Sequence, residues 1–203
     1  MTSAAQPLAG DRGDVRTIVG GGVKLGLATA VGVVAFALLS RALTGAPEVA
    51  VQSLLILAGG AVFSYVPALW VRPRGIDGIG HAALLGTLGS LAFTVVDTAI
   101  LRPANLYHWT WDAIGGGSGF WYIPIWWMGS ALLATLGAVL VTRRGAGDAR
   151  AIVNTALQTV GLAVLLFVAL TASGLAPFHG AVVALAYALA LVLHVPVAAL
   201  RSR

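Results

Sequence analysis

Six apolar runs, each long enough to cross about 30 Å of hydrocarbon at about 1.5 Å per helical residue, constrain this chain more than any other feature. They fall near residues 17–42, 48–71, 79–101, 119–142, 151–173 and 177–199. Only 9% of the 203 residues are charged, where a soluble domain carries about a quarter. A surface that poor in charge cannot face water, so the solvent for most of the chain is lipid. The expected fold is all-α: a polytopic membrane helix bundle of six transmembrane helices forming one domain over residues 17–200. Residues 1–16 read as a disordered cytoplasmic tail, because they lack the charged start, short apolar core and cleavage site of a signal peptide.

Orientation follows from the basic residues between the runs. Arg12, Arg16, Arg72, Arg74, Arg143, Arg144, Arg150, Arg201 and Arg203 fall on one side, and Arg41 and Arg102 on the other. The positive-inside rule makes the first side cytoplasmic, so both termini are expected there. The cytoplasmic membrane of a prokaryote is the expected location. The net charge of +5 is dispersed one to three residues at a time, with no basic stripe to follow a phosphate backbone, which excludes nucleic acid as a partner. The absence of Cys excludes disulfides, thiolate metal sites and thiol nucleophiles.

Small residues recur at helical spacing in three of the runs: Gly22, Gly26 and Ala30; Ala82, Gly86 and Ser90; Ser130, Ala134 and Ala138. Such ridges let helices approach closely in lipid and predict bundle contacts. The fifth run carries Asn154, Thr155, Gln158 and Thr159, a polar face expected to point into the bundle. Lys24, the only lysine, can extend its stem to the cytoplasmic interface.

The candidate chemistry gathers on the opposite side. Asp97 is the acid inside a predicted span, about one turn from its outer end, and Arg102 can reach back toward it. A carboxylate at that depth is costly unless it is paired, protonated or hydrated, so it is a functional candidate. Beyond it, the stretch from Tyr107 to Trp127 holds five of the six Trp and two of the four Tyr. Such rings belong where one end of a side chain is dry and the other wet. His108, Asp112, His179 and Glu48 share this side. Asp97, His108 and Asp112 are the candidate catalytic residues; Trp109, Trp111, Trp121, Tyr122, Trp126 and His179 are the candidate ligand-binding set.

Three chemistries fit residues of these types. Metal binding could use His108, Asp112 and His179, but no tight ligand motif is present, and no metal site is assigned. Di-haem ligation needs paired axial His across the bilayer. His81 and His108 are 27 residues apart in the sequence, about 40 Å if wholly helical, and His108 falls beyond the span. General acid chemistry needs a buried carboxylic acid to protonate an alkene, with His108 or Asp112 positioning water. The cofactor is left open.

The order Asp97, Leu101, Pro103, Trp109-x-Trp111, a Gly-rich turn, Tyr122, Pro124 and Gly129 resembles carotenoid hydratases of the bisanhydrobacterioruberin type. The resemblance covers Asp97 to Gly129. Trp126-Trp127 stand where that family has Asn-Phe, and Ser130 replaces its closing Trp. It implies water addition to an isoprenoid double bond, with Asp97 at the acidic position. The leading expectation is therefore a membrane protein that binds a lipophilic small molecule at the outer end of helices three and four. A non-catalytic subunit, in a homo-oligomer or a larger membrane complex, is the alternative. A small-solute transporter using Asn154 and Gln158 is the third. Membrane lipids are partners in every case.

Overall fold

The structure, a computed structural model, describes residues 12–106, 122–143 and 148–201. Six α-helices account for them: α1 Val15–Ala42, α2 Ala46–Val71, α3 Ile76–Val96, α4 Tyr122–Arg143, α5 Ala149–Ala172 and α6 Gly180–Arg201. A single π-helical turn, Asp97–Leu101, extends α3. With no water in the bilayer core, a helix is one of the two backbone forms that satisfy their own N–H and C=O groups. Five of the helices are long and apolar enough to cross a membrane. The sixth has 22 residues, with its apolar stretch over Gly180–Pro196. Large apolar side chains such as Val31, Leu54, Leu84, Val95 and Leu165 face outward. An exterior of that kind is stable only against lipid. The chain is an integral membrane protein.

Helix α1 begins two residues earlier than expected. The Asp14 carboxylate accepts hydrogen bonds from the Thr17 N–H and hydroxyl at 2.9 and 2.6 Å, capping the first turn. The Thr17 hydroxyl, then its N–H, holds this carboxyl below the usual aspartate range. The Arg12 N–H donates to Val71 O at 2.9 Å, so the chain just before α1 is tied to the end of α2 and residues 12–16 belong to the fold.

Helix α2 touches all five others, while α3 lies between α1 and α4. All nine small residues of the three predicted ridges are buried. A Cβ added at Gly26 would stand 2.6 Å from both Ala92 Cβ and Gly89 O, so α1 and α3 meet backbone to backbone. A Cβ at Gly86 would stand 2.6 Å from Ala134 Cβ and 3.2 Å from Ser130 O, which is the α3–α4 seam. Further close approaches lie outside the ridges. Gly137 meets Ser64 O, and a Cβ at Gly60 would stand 2.8 Å from the Tyr187 ring.

The polar face of α5 divides in two. Thr155 and Thr159 are buried, as are Ile152 and Ala163 at the same helical register. Asn154 and Gln158 are exposed. Each precedes a buried threonine by one residue, a rotation of about 100°, so the four side chains cannot share one interface. Lys24 is exposed on the outer face of α1.

The seams predict a selective response. Gly26→Val and Gly86→Val must push helices apart, costing about 1–3 kcal/mol each. Gly59→Ala and Gly161→Ala, where an added Cβ meets nothing within 4 Å, should be neutral or stabilising by up to ~1 kcal/mol. Denaturant unfolding in mild detergent distinguishes the two classes.

Candidate functional site

Asp97 has 0% of its side chain exposed, and its Oδ2 lies 3.6 Å from Nε of Arg102, which is 23% exposed. The pairing depends on the local backbone. In an α-helix the neighbours on one face are three and four residues apart, so a partner five residues on would point away. Here Arg102 N–H donates to Asp97 O at 2.9 Å, an i→i+5 bond that widens the turn and brings the fifth residue round. Pro103 accounts for the widening. It has no N–H to give Ala99 O, and its ring would collide with that carbonyl in a regular helix. Asn105 then adopts φ +50°, a left-handed conformation that Asn tolerates. Its carbonyl accepts from Arg41 Nη2 at 3.0 Å, fastening the end of α1 to the turn.

Below the ion pair, Phe93 and Leu101 are buried with Ala30, and Val33, Val34, Leu106 and Trp126 pack against them. The Phe93 and Trp126 rings are 5.7 Å apart and tilted by 59°, the offset geometry that aromatic quadrupoles prefer. Trp127 Nε1 donates to Thr94 Oγ1 at 3.2 Å, so α3 and α4 are bridged at two adjacent positions. Seven residues before Asp97, on the same helical face, Ser90 is 1% exposed. Its hydroxyl has no hydrogen-bond partner among the described residues. Thr87, Thr94 and Thr98 on α3 each bond to the carbonyl four residues earlier.

Of the remaining expected site residues, Trp126 is half-buried beside Phe93. His179 is exposed at the start of α6, where its Nδ1 accepts from Ala181 N–H at 3.1 Å, which makes it a helix cap. His108, Trp109, Trp111, Asp112 and Trp121 lie outside the described residues, as does the side chain of Tyr122, whose backbone opens α4. Glu48 is drawn elsewhere: its Oε1 accepts from Gln52 Nε2 at 3.0 Å, and the same amide bonds to Ser40 Oγ at 3.0 Å. Among the described residues no three His, Asp or Glu side chains converge as a metal site requires. Among the described residues, the aromatic pair near Asp97 is Phe93–Trp126.

A second set of buried polar groups, which the sequence reading did not assemble, lies nearer the opposite ends of the helices. Tyr65, Thr159 and His194 form a hydrogen-bonded chain linking α2, α5 and α6, and Tyr187 bonds to Ser64 beside it. One signal for it is present in the sequence. Tyr65 and His194 each stand two residues before a proline inside an apolar run, Pro67 and Pro196. Each proline deprives a carbonyl of its helical donor and marks a place where polar groups are needed.

Comparison with protein-family models, curated proteins and solved structures found no match.

Removing one member of the ion pair is predicted to cost more than removing both. Arg102→Ala takes the opposite charge from beside a buried carboxylate, at about 3–5 kcal/mol, with the lower end expected because Arg102 is partly exposed. Asp97→Leu combined with Arg102→Leu should recover most of that loss. A double-mutant cycle by denaturant unfolding checks it; a cost below about 1 kcal/mol for Arg102→Ala would mean that the pair behaves as a solvated surface bridge.

Proposed function

We propose that this membrane protein binds a lipophilic small molecule (a lipid, an isoprenoid or a pigment) at the ends of α3 and α4 remote from the chain termini. The observation that carries this reading is the fully buried Asp97 paired with a partly exposed Arg102 beside the Phe93–Trp126 pair. A buried ion pair is seldom more stable than an apolar pair of the same volume, so packing alone does not account for it. A ligand with a polar end and an apolar body does. Arg102 brings a positive charge to the edge of the bundle, and Asp97 holds it there. The Ser90 hydroxyl offers a further hydrogen bond deeper along the same face. On α4 itself, a shallow open depression lined by Ile125, Met128, Gly129 and Leu132 offers apolar contact.

The resemblance over Asp97 to Gly129 supports an isoprenoid as the occupant. It also supports Asp97 as the group that would exchange a proton with an alkene. By the positive-inside rule the site opens on the outer leaflet of the cytoplasmic membrane, with both termini cytoplasmic.

Protein freshly isolated in mild detergent is expected to carry a bound hydrophobic molecule, visible in its absorption spectrum or by mass spectrometry of an organic extract. Trp126→Ala removes a large aromatic contact and should lower the bound amount about tenfold or more. Extracts that hold only bulk membrane lipid, or equal occupancy in Trp126→Ala, would contradict the proposal.

A further inference from the structure

On the side that carries the chain termini, α3 and α4 leave a groove between them. Gly75, Ile76 and Ile79 form one wall, and Val139, Thr142 and Arg143 form the other, around a space of about 340 Å³. Ile76 and Ile79 are three residues apart, and Val139 and Arg143 four, so each set stands on one face of its helix. Ile76 is 79% exposed. The groove also has a direction. Gly75 immediately precedes α3 and Arg143 is the last residue of α4, which puts both at the aqueous end. Ile79 and Val139 lie about one turn further into the bilayer.

Arg143 is exposed, and among the described residues no carboxylate pairs with it. The Thr142 hydroxyl beside it has its one hydrogen engaged, by Ala138 O at 2.8 Å and Pro73 O at 3.4 Å. The contact to Pro73 holds the turn before α3, which contains Arg72 and Arg74, against the last turn of α4. Asp77 is the acid of this end of α3. It is exposed, one residue and about 100° round the helix from Ile76.

We propose that this groove binds an anionic phospholipid, with an acyl chain against Ile76, Ile79 and Val139 and the headgroup phosphate on the Arg143 guanidinium. The apolar walls suit a hydrocarbon chain rather than a hydrated solute. The guanidinium at the aqueous end suits a phosphate, which it can meet with two parallel N–H bonds. Charge then selects among lipids. On this side the described residues include Arg12, Arg16, Arg72, Arg74, Arg143 and Arg150 against Asp14, Asp77 and Asp148, and Asp14 and Asp148 are engaged as helix caps. A zwitterionic lipid brings its own cation and gains little from such a surplus; an anionic one gains from it. The groove is distinct from the site at Asp97, which stands 21 residues from Ile76 along the same α3 axis, about 30 Å away.

The test is native mass spectrometry of the protein in mild detergent with equal amounts of phosphatidylglycerol and phosphatidylcholine. The wild type is expected to retain phosphatidylglycerol in preference. Arg143→Gln should lower that retention about fivefold, while Arg16→Gln, which removes the same charge away from the groove, and Trp126→Ala, at the other site, should leave it unchanged. Gly75→Leu fills the groove from a position that tolerates it: φ is −149°, backbone that any residue adopts, and an added Cβ meets nothing within 4 Å. It should lower retention of the lipid with Arg143 intact, and it keeps the test decisive if Arg143→Gln fails to fold. Equal retention of the two lipids by the wild type, equal loss in Arg16→Gln and Arg143→Gln, or undiminished retention in Gly75→Leu would overturn the proposal. So would displacement of the lipid by inorganic phosphate, which would mark a site for a free anion.

Discussion

A polar group left without a partner in hydrocarbon costs several kcal/mol, and the interior of this protein is arranged around that penalty. The hydroxyls of Thr29, Thr87, Thr94, Thr135, Thr142 and Thr155 answer it within their own helices, each bonding to the carbonyl four residues back. Asp97 requires a partner with opposite charge, and the π turn at Asp97–Leu101 supplies one by bringing Arg102 onto its face. His194 Nδ1 finds its partner in the Thr159 hydroxyl of a neighbouring helix, 2.8 Å away. In each case a backbone feature, whether an ordinary carbonyl, a widened turn or a nearby proline, decides which partner is reachable.

Lipid tails are as apolar as the helices, so burying Leu and Val does little to hold the bundle together. Close contact does more. The seams at Gly22 and Gly26, at Gly86 and at Gly137 let backbones meet where larger residues would hold them apart. This tight packing matters for both polar sites. It brings α1 and α4 against α3 around Asp97, and it gathers α5 and α6 on α2 around Thr159. A rigid frame keeps Asp97 buried beside Arg102, and it holds the Thr159 hydroxyl 2.8 Å from His194 Nδ1.

The spans and the small-residue ridges were legible because lipid imposes length, composition and spacing directly on the sequence. The proximity of Asp97 to Arg102 was legible as a possibility. Its cause was not, since a five-residue separation favours pairing only once Pro103 has widened the turn. The α5 face was misjudged at Asn154 and Gln158, where polar composition was given more weight than helical phase. The Tyr65–Thr159–His194 chain joins residues 94 and 35 positions apart. No local pattern encodes such contacts, and each member alone looks like an ordinary interfacial or helix-packing residue. The His179 cap was likewise visible only once the start of α6 was placed, where its Nδ1 accepts from Ala181 N–H.

Asp97 and Arg102 meet because α3 ends in a π turn. Solid-state NMR in lipid bilayers measures this, through dipolar recoupling between the Arg102 side-chain nitrogens and the Asp97 carboxyl carbon. A coupling consistent with the 3.6 Å nitrogen–oxygen separation is the predicted result. The absence of any coupling, with the two groups separated as a regular α-helix would place residues five apart, would contradict it.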